Sequence, residues 1–209
     1  MTGALGTRAE RKRAQIESAA RSLFLEQGYA GTTMDAVAAA AGVSKQTLYS
    51  YFASKTDLLA AILADELGTL FVAGGGAMSR VGTSDQLRDA LLQLARSSVD
   101  RLMSEDAQQL LRLVIGEVFR LPELRDVVRE LVPGRFLHGV EALLRAAADE
   151  GLVHAPRPEL ATRMLVGPLA SFVTLDGLLR ADGPHVPDDA TLAYIVDAFL
   201  ATIRQGAVP

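Results

Sequence analysis

Four consecutive polar side chains, Ser44-Lys45-Gln46-Thr47, stand directly after an apolar run and ahead of the aromatic pair Tyr49 and Tyr51. Lysine donates well to guanine O6 and N7, and the glutamine amide matches adenine N6 and N7. Each good pair of this kind is worth roughly 1–3 kcal/mol of discrimination between bases. Tyr49 offers a hydroxyl to a phosphate while its ring shields a small core. Tyr51 falls at a partly buried helical position, where core packing and a phosphate contact are equally open readings. The chemistry on offer is therefore hydrogen bonding to nucleic acid rather than bond making or breaking.

Catalytic and metal chemistry lack their residues. His138, His154 and His185 are far apart, and none lies in an H-x-x-x-H or H-E-x-x-H array. Each reads as a surface or pocket-lining histidine. Gly74-Gly75-Gly76 follows a helical pattern with no strand ahead of it, so it reads as a linker and not as a phosphate loop. No G-x-S-x-G elbow occurs. The chain has no cysteine, which excludes disulfides and thiol chemistry. We expect no enzyme, no metal and no cofactor.

The elements that must position the polar stretch are short helices. In residues 33–55, Val37, Ala41, Val43 and Leu48 are spaced so that two helices crossing steeply share one small core, with Ala38 at the closest approach. Gly42 sits where the chain reverses, and Ser44 is a strong N-cap for the helix Lys45–Tyr51. Such a helix presents its first turn to the major groove in helix-turn-helix proteins. A preceding helix spans 8–27, with Ile16, Ala20, Leu23 and Phe24 inward, Gly28 at its end and Tyr29 folding back. Its head carries Arg8, Arg11, Lys12 and Arg13, either a solvated face or contacts to phosphates. Thr32 or Thr33 caps the second helix, and Asp35 complements the positive end of that helix. Ser54-Lys55-Thr56-Asp57 reads as a capping box opening a long fourth helix, apolar on several sides.

The run GYAGTTMDAVAAAAGVSKQTLYSYFASKTDLLAAIL resembles, nearly position for position, the N-terminal DNA-binding domain of TetR-family transcriptional regulators. The resemblance covers residues 8–63, about a quarter of the chain. It implies phosphate contacts at Thr33 and Lys55, which join Ser44, Lys45, Gln46, Thr47, Tyr49 and, with its reading open, Tyr51 as the expected DNA-binding residues. Residues 110–151 are similar to the C-terminal domain of AefR-like regulators within that family.

Charge is divided in the same sense. The net charge of −4 conceals seven Lys/Arg against five Asp/Glu in residues 1–57 and 14 against 20 in residues 58–209. A mildly basic module thus precedes an acidic one, so any DNA contact comes from the N-terminal end. The remaining chain reads as helices throughout, near 84–103, 106–119, 122–148 with a break at Pro133-Gly134, 159–181 and 188–205. No stretch alternates with period two for long enough to form a strand. We expect an all-α protein of nine or ten helices. Residues 1–53 form a three-helix helix-turn-helix domain, and 54–209 a larger helical domain for effector binding and dimerisation. The first residues lack the apolar run of a signal peptide, and no stretch has the ~18 uncharged apolar residues of a membrane span, so we expect a cytoplasmic protein.

One such module binds DNA weakly. Two copies about a two-fold axis reach successive major grooves about 34–36 Å apart. Stripes for a dimer are Leu165, Leu169, Phe172 and Val173 on one late helix and Leu192, Ile195, Val196, Phe199 and Ile203 on the last. Gly167, Ala170 and Ser171 would lie at the close contacts, while the alternative is that these stripes serve the chain's own core. The excess length of the second domain suggests a cavity for a small-molecule effector, with Phe71, Arg112, Phe119, Phe136, His138 and Phe172 as lining residues. Together these readings describe a one-component regulator, expected to be a repressor of a palindromic operator. An effector would tilt the fourth helix and release the DNA; the alternative is a non-switching DNA-tethered adaptor.

Overall fold

The computed structural model describes residues 7–75, 81–129 and 135–204, the side chains of 66–75, Glu123, Val127 and Arg135 excepted. Ten α-helices and one π-helical segment account for its regular structure, and no strand occurs among the described residues. The helices are α1 Arg8–Gly31, α2 Met34–Ala40, α3 Lys45–Tyr51, α4 Lys55–Gly75, α5 Ser84–Leu102, α6 Glu105–Val118, α7 Pro122–Arg129, α8 Arg135–Asp149, α9 Pro158–Ser171 and α10 Asp189–Ile203, with the π segment Phe172–Leu178 between the last two. The break expected at Pro133-Gly134 lies outside the described residues.

The chain divides into two compact units. The first is Met1–Asp65 with Arg112–Val128, and the second is Glu66–Leu111 with Arg129–Pro209. The first unit thus reaches past residue 53 into α4 and takes in a stretch of α6 and α7 as well.

Local signals set the start of the first unit. Thr7 and Glu10 form a reciprocal capping box at the head of α1. The helix proper ends at Gly28, whose φ of 74° is open to glycine and strained for other residues. Tyr29 then folds back and stacks on Phe24 with ring centroids 5.6 Å apart. The core between α1, α2 and α3 consists of Ile16, Ala20, Phe24, Val37, Ala38, Ala41, Leu48 and Phe52, all buried. In α4, Leu58, Leu59, Ile62 and Leu63 are buried too.

The second unit is built on α5, α8, α9 and α10. Leu87, Leu91, Leu94, Val99, Val140, Leu144, Leu165, Val196 and Leu200 fill its core. Two surface ion pairs tie α5 to α10. Arg88 grips Asp197 with two bonds of 2.6 and 2.8 Å, and Arg96 meets Asp189 at 2.8 Å. Pro168 sits inside α9 without an N–H to give, and the π segment follows within a turn. Gly177 in that segment lies against the Gln108 amide, where an added Cβ would come within 2.6 Å of Nε2. Gln108 is fully buried and donates to Leu102 O at 2.6 Å.

Candidate nucleic-acid interface

The turn between α2 and α3 fixes how α3 is presented. Gly42 has φ 58°, its N–H bonds Ala39 O, and Val43 N–H bonds Ala38 O, the two bonds of a Schellman motif. Two residues later Ser44 caps α3 by accepting from Thr47 N–H at 3.1 Å, and its hydroxyl lies 2.8 Å from that of Thr47. Thr33 caps α2 in the same manner, accepting from Ala36 N–H at 3.1 Å. Gln15 of α1 donates to Ala41 O at 2.8 Å and so holds the end of α2. The guanidinium of Arg13 lies over the Phe52 ring, 5.2 Å from its centre, beside its ion pair with Glu17.

With Leu48 fully buried, the opposite face of α3 is committed to solvent. Lys45, Gln46, Tyr49 and Ser50 are exposed there, Tyr49 by 51%. Thr47 and Tyr51 are half-buried. The structure therefore brings Lys45, Gln46 and Tyr49 together on one outward face, with Ser44 and Thr47 beneath it as capping groups. Arg8 and Arg11 are exposed at the head of α1, and Lys12 donates to Gln15.

Two side chains have partners that the sequence pattern did not foresee. The Lys45 ammonium is 2.6 Å from Asp35 Oδ2. The Lys55 ammonium donates to Tyr29 O at 2.7 Å and Thr32 O at 2.8 Å, and lies 4.3 Å from the centre of the Tyr29 ring. Partial burial lowers its pKa from the ordinary lysine value, against the opposing pull of the Glu117 carboxylate. Lys55 is thus a clamp on the carbonyls of Tyr29 and Thr32, next to the end of α1, where cations are favoured. The neighbouring Thr56 hydroxyl lies 2.8 Å from Tyr29 Oη and closes the same joint.

The residues expected at a dimer interface lie mostly inside the chain itself. Leu165, Leu169, Leu192, Val196, Phe199 and Ile203 are buried in the chain's own core, and Phe172, Val173 and Ile195 pack against it half-buried. Leu160 and Met164 of α9, Leu175 of the π segment, Leu179 just after it and Tyr194 of α10 are instead 40–75% exposed. Gly167, Ala170 and Ser171 are exposed in the single chain. The residues expected to line an effector pocket fall in both units. Arg112 and Phe119 belong to the first unit and are exposed, Phe119 by 78%. His138 is exposed in the second unit, while Phe136 and Phe172 pack half-buried on its core. The side chain of Phe71 lies outside the described residues. What the sequence reading missed in that unit is buried polarity, since Ser98 Oγ, Gln108 Oε1 and Thr162 Oγ1 are buried without a hydrogen-bond partner.

This arrangement of a capped, outward-facing α3 after a glycine turn is that of a helix-turn-helix protein, and comparison with known proteins agrees. The profile of "Bacterial regulatory proteins, tetR family" matches residues 16–62, and that of "AefR-like transcriptional repressor, C-terminal domain" matches residues 89–204. The chain belongs to the TetR family of transcriptional regulators, whose members are regulators of transcription and not enzymes. An HTH-type transcriptional regulator of Mycobacterium tuberculosis is 33% identical over 129 residues, 62% of this chain and 59% of that protein. The chain thus spans about three fifths of the length of the curated relatives it matches. HbdR of an Aromatoleum species is 47% identical over 60 residues, 29% of this chain and 26% of its own. Among solved structures, a TetR-family regulator of Mesorhizobium loti superposes with a TM-score of 0.73 at 27% identity, covering 95% of this chain and 100% of that one. The flavonoid-responsive regulator FrrA does so with a TM-score of 0.71 at 28% identity, over the same shares. No helix among the described residues is long and apolar enough to cross a membrane.

Proposed function

We propose that this regulator binds a palindromic operator as a homodimer and leaves it when a small molecule occupies the C-terminal part. In this reading residues 1–53 read DNA, and residues 54–209 hold the effector and the partner chain. The observation that carries it is the outward face of α3. Lys45 and Gln46 stand in its first turn with Tyr49 one turn on, held by the Ser44 cap and the buried Leu48. Lys45 and Gln46 read base edges, Tyr49 meets a phosphate, and Arg8 and Arg11 add sequence-independent affinity. A repressor is favoured by the AefR-like repressor profile matched in the C-terminal part.

The dimer forms through the exposed stripe Leu160, Met164, Leu175 and Leu179 together with Tyr194, where small residues at Gly167, Ala170 and Ser171 allow close approach. Exposed large side chains of this kind call for a cover, and a second copy supplies an identical set about a two-fold axis. Support for an effector is the unmet hydrogen-bonding capacity of Ser98, Gln108 and Thr162 in an otherwise apolar interior, which a small molecule with polar groups satisfies.

A pool of randomised 40-bp duplexes tests the reading. The chain should enrich a palindrome with half-sites about one helical turn apart and bind it with two copies. A flavonoid panel, chosen because FrrA is named flavonoid-responsive, is then added to the complex. No enrichment from the pool refutes operator binding, whereas enrichment by a chain that sediments as a monomer on DNA refutes the dimer.

A further inference from the structure

Between Thr32 and Ser54 the sequence holds two charged residues, Asp35 and Lys45, and the structure pairs them with each other. Asp35 sits in the first turn of α2 and Lys45 is the first residue of α3, so the pair spans the open side of the helix-turn-helix. Both side chains face water, Lys45 by 66% and Asp35 by 60%, so an incoming oxygen can reach either. Asp35 has little freedom to retreat. The Thr33 cap fixes its turn, and the buried Val37 and Ala38 fix its helix.

We propose that Asp35 is a specificity-determining residue, which holds the Lys45 ammonium away from phosphates and yields it only to a site that offers more. This inference rests on the reading of α3 as the DNA-reading helix. Non-specific binding is driven by cations that displace counterions from phosphates. A cation already paired contributes little to it. Drawing Lys45 off also leaves a carboxylate facing the phosphate backbone, which is repulsive. A cognate site compensates through bonds to base edges from Lys45 and Gln46. Random sequence compensates nothing. The pair therefore weakens wrong sites more than right ones, and discrimination arises from a repulsive element as well as an attractive one.

Because the pair is exposed, its hold is modest, a factor of about three to five. The test measures fluorescence anisotropy of the full chain on two probes, the 40-bp duplex enriched by the wild type and the unselected random pool, over a range of salt. Asp35→Asn should tighten binding to the unselected pool about three- to five-fold and steepen its salt dependence by about one. Binding to the enriched duplex should change less, so the specificity ratio falls. In a Lys45→Met background the same substitution should have no effect on the ratio. Asp35→Ser, which retains a residue suited to a first helical turn, should repeat the Asn result if Asn disturbs folding. An unchanged ratio in Asp35→Asn and Asp35→Ser, or an equal change with Lys45 absent, overturns the inference and leaves operator binding intact. Failure of the wild type to enrich any duplex overturns operator binding, and this inference with it.

Discussion

The helix-turn-helix of the first unit and the α9–α10 pair of the second were both read from apolar spacing, yet that spacing marks one buried face in the first and is ambiguous in the second. The helices α2 and α3 are seven residues each, with one buried stripe apiece and polar caps at fixed offsets. Leu48 faces inward because the remaining positions of α3 are polar or aromatic with a polar end. By contrast α9 and α10 carry large apolar residues around most of their circumference. In α9, Leu165 and Leu169 go inward while Leu160 and Met164 go outward, and both pairs have helical spacing. Periodicity locates a face only where an opposite face is polar.

Substitutions on α9 and the π segment test that contrast most strongly. Leu165→Ala should lower unfolding stability by about 2–5 kcal/mol at any protein concentration, as expected for a fully buried leucine. Leu175→Ala should leave the stability of the isolated chain within about 0.5 kcal/mol and instead shift the monomer–dimer equilibrium. Denaturant melts at two concentrations with sedimentation would separate them, and the reverse pattern would restore the original stripe.

Next comes the joint at Lys55. Lys55→Met removes two charge-assisted bonds to the carbonyls of Tyr29 and Thr32, which should cost about 2 kcal/mol once the partial exposure of the group is allowed for. The salt dependence of DNA binding should be unchanged. A fall in its slope of about one would instead mark Lys55 as a phosphate contact. Ser44→Ala should cost about 1 kcal/mol by removing the cap of α3, and it should weaken binding to all sequences alike because it disorders the turn that carries Lys45 and Gln46.

The different pH windows of the two units give the smallest contrast. In the second unit the Asp197 carboxyl is held below its ordinary value by the hydrogen bond from Arg88, and that of Asp188 by its bonds to Thr191 at the head of α10. Their contribution is complete above the ordinary carboxylate value of about 3.9 and is lost as pH falls through the depressed values. Asp188→Asn should therefore flatten acid unfolding below about pH 4. In the first unit the lowered pKa of Lys55 acts with the same sign, but in an alkaline window. Between that value and the ordinary lysine value of about 10.4 the unfolded chain binds more protons, so stability contributed there rises with pH. Alkaline melts of the wild type and Lys55→Met should differ in this sense.

Much of the site was legible. The caps at Thr33, Ser44 and Ser54, the reversal at Gly42 and the exposure of Lys45, Gln46 and Tyr49 all followed from residue type and spacing. The boundaries of α5 and α6 were read to within a residue or so. What escaped the reading were partners distant in sequence. Asp35 lies ten residues from Lys45, and Lys55 meets carbonyls 23 and 26 residues earlier. The absence of any other charge between Thr32 and Ser54 was the signal that could have found the first pair. Backbone carbonyls carry no sequence signal, so the second had none. The buried Gln108 was hidden for the same reason, since its place depends on a glycine 69 residues away.

The amino-acid order alone determined which segments coil, where they stop, and which short helix turns a polar edge outward. Those outcomes depend on hydrogen bonds and steric limits within a few residues of chain. Only the folded molecule decided which side of α9 and α10 is interior and to what Lys45 and Lys55 give their protons. Burial is settled by the competition of all apolar surface for one core, and the position of a long cationic side chain by whichever acceptors the packing of other helices brings within reach.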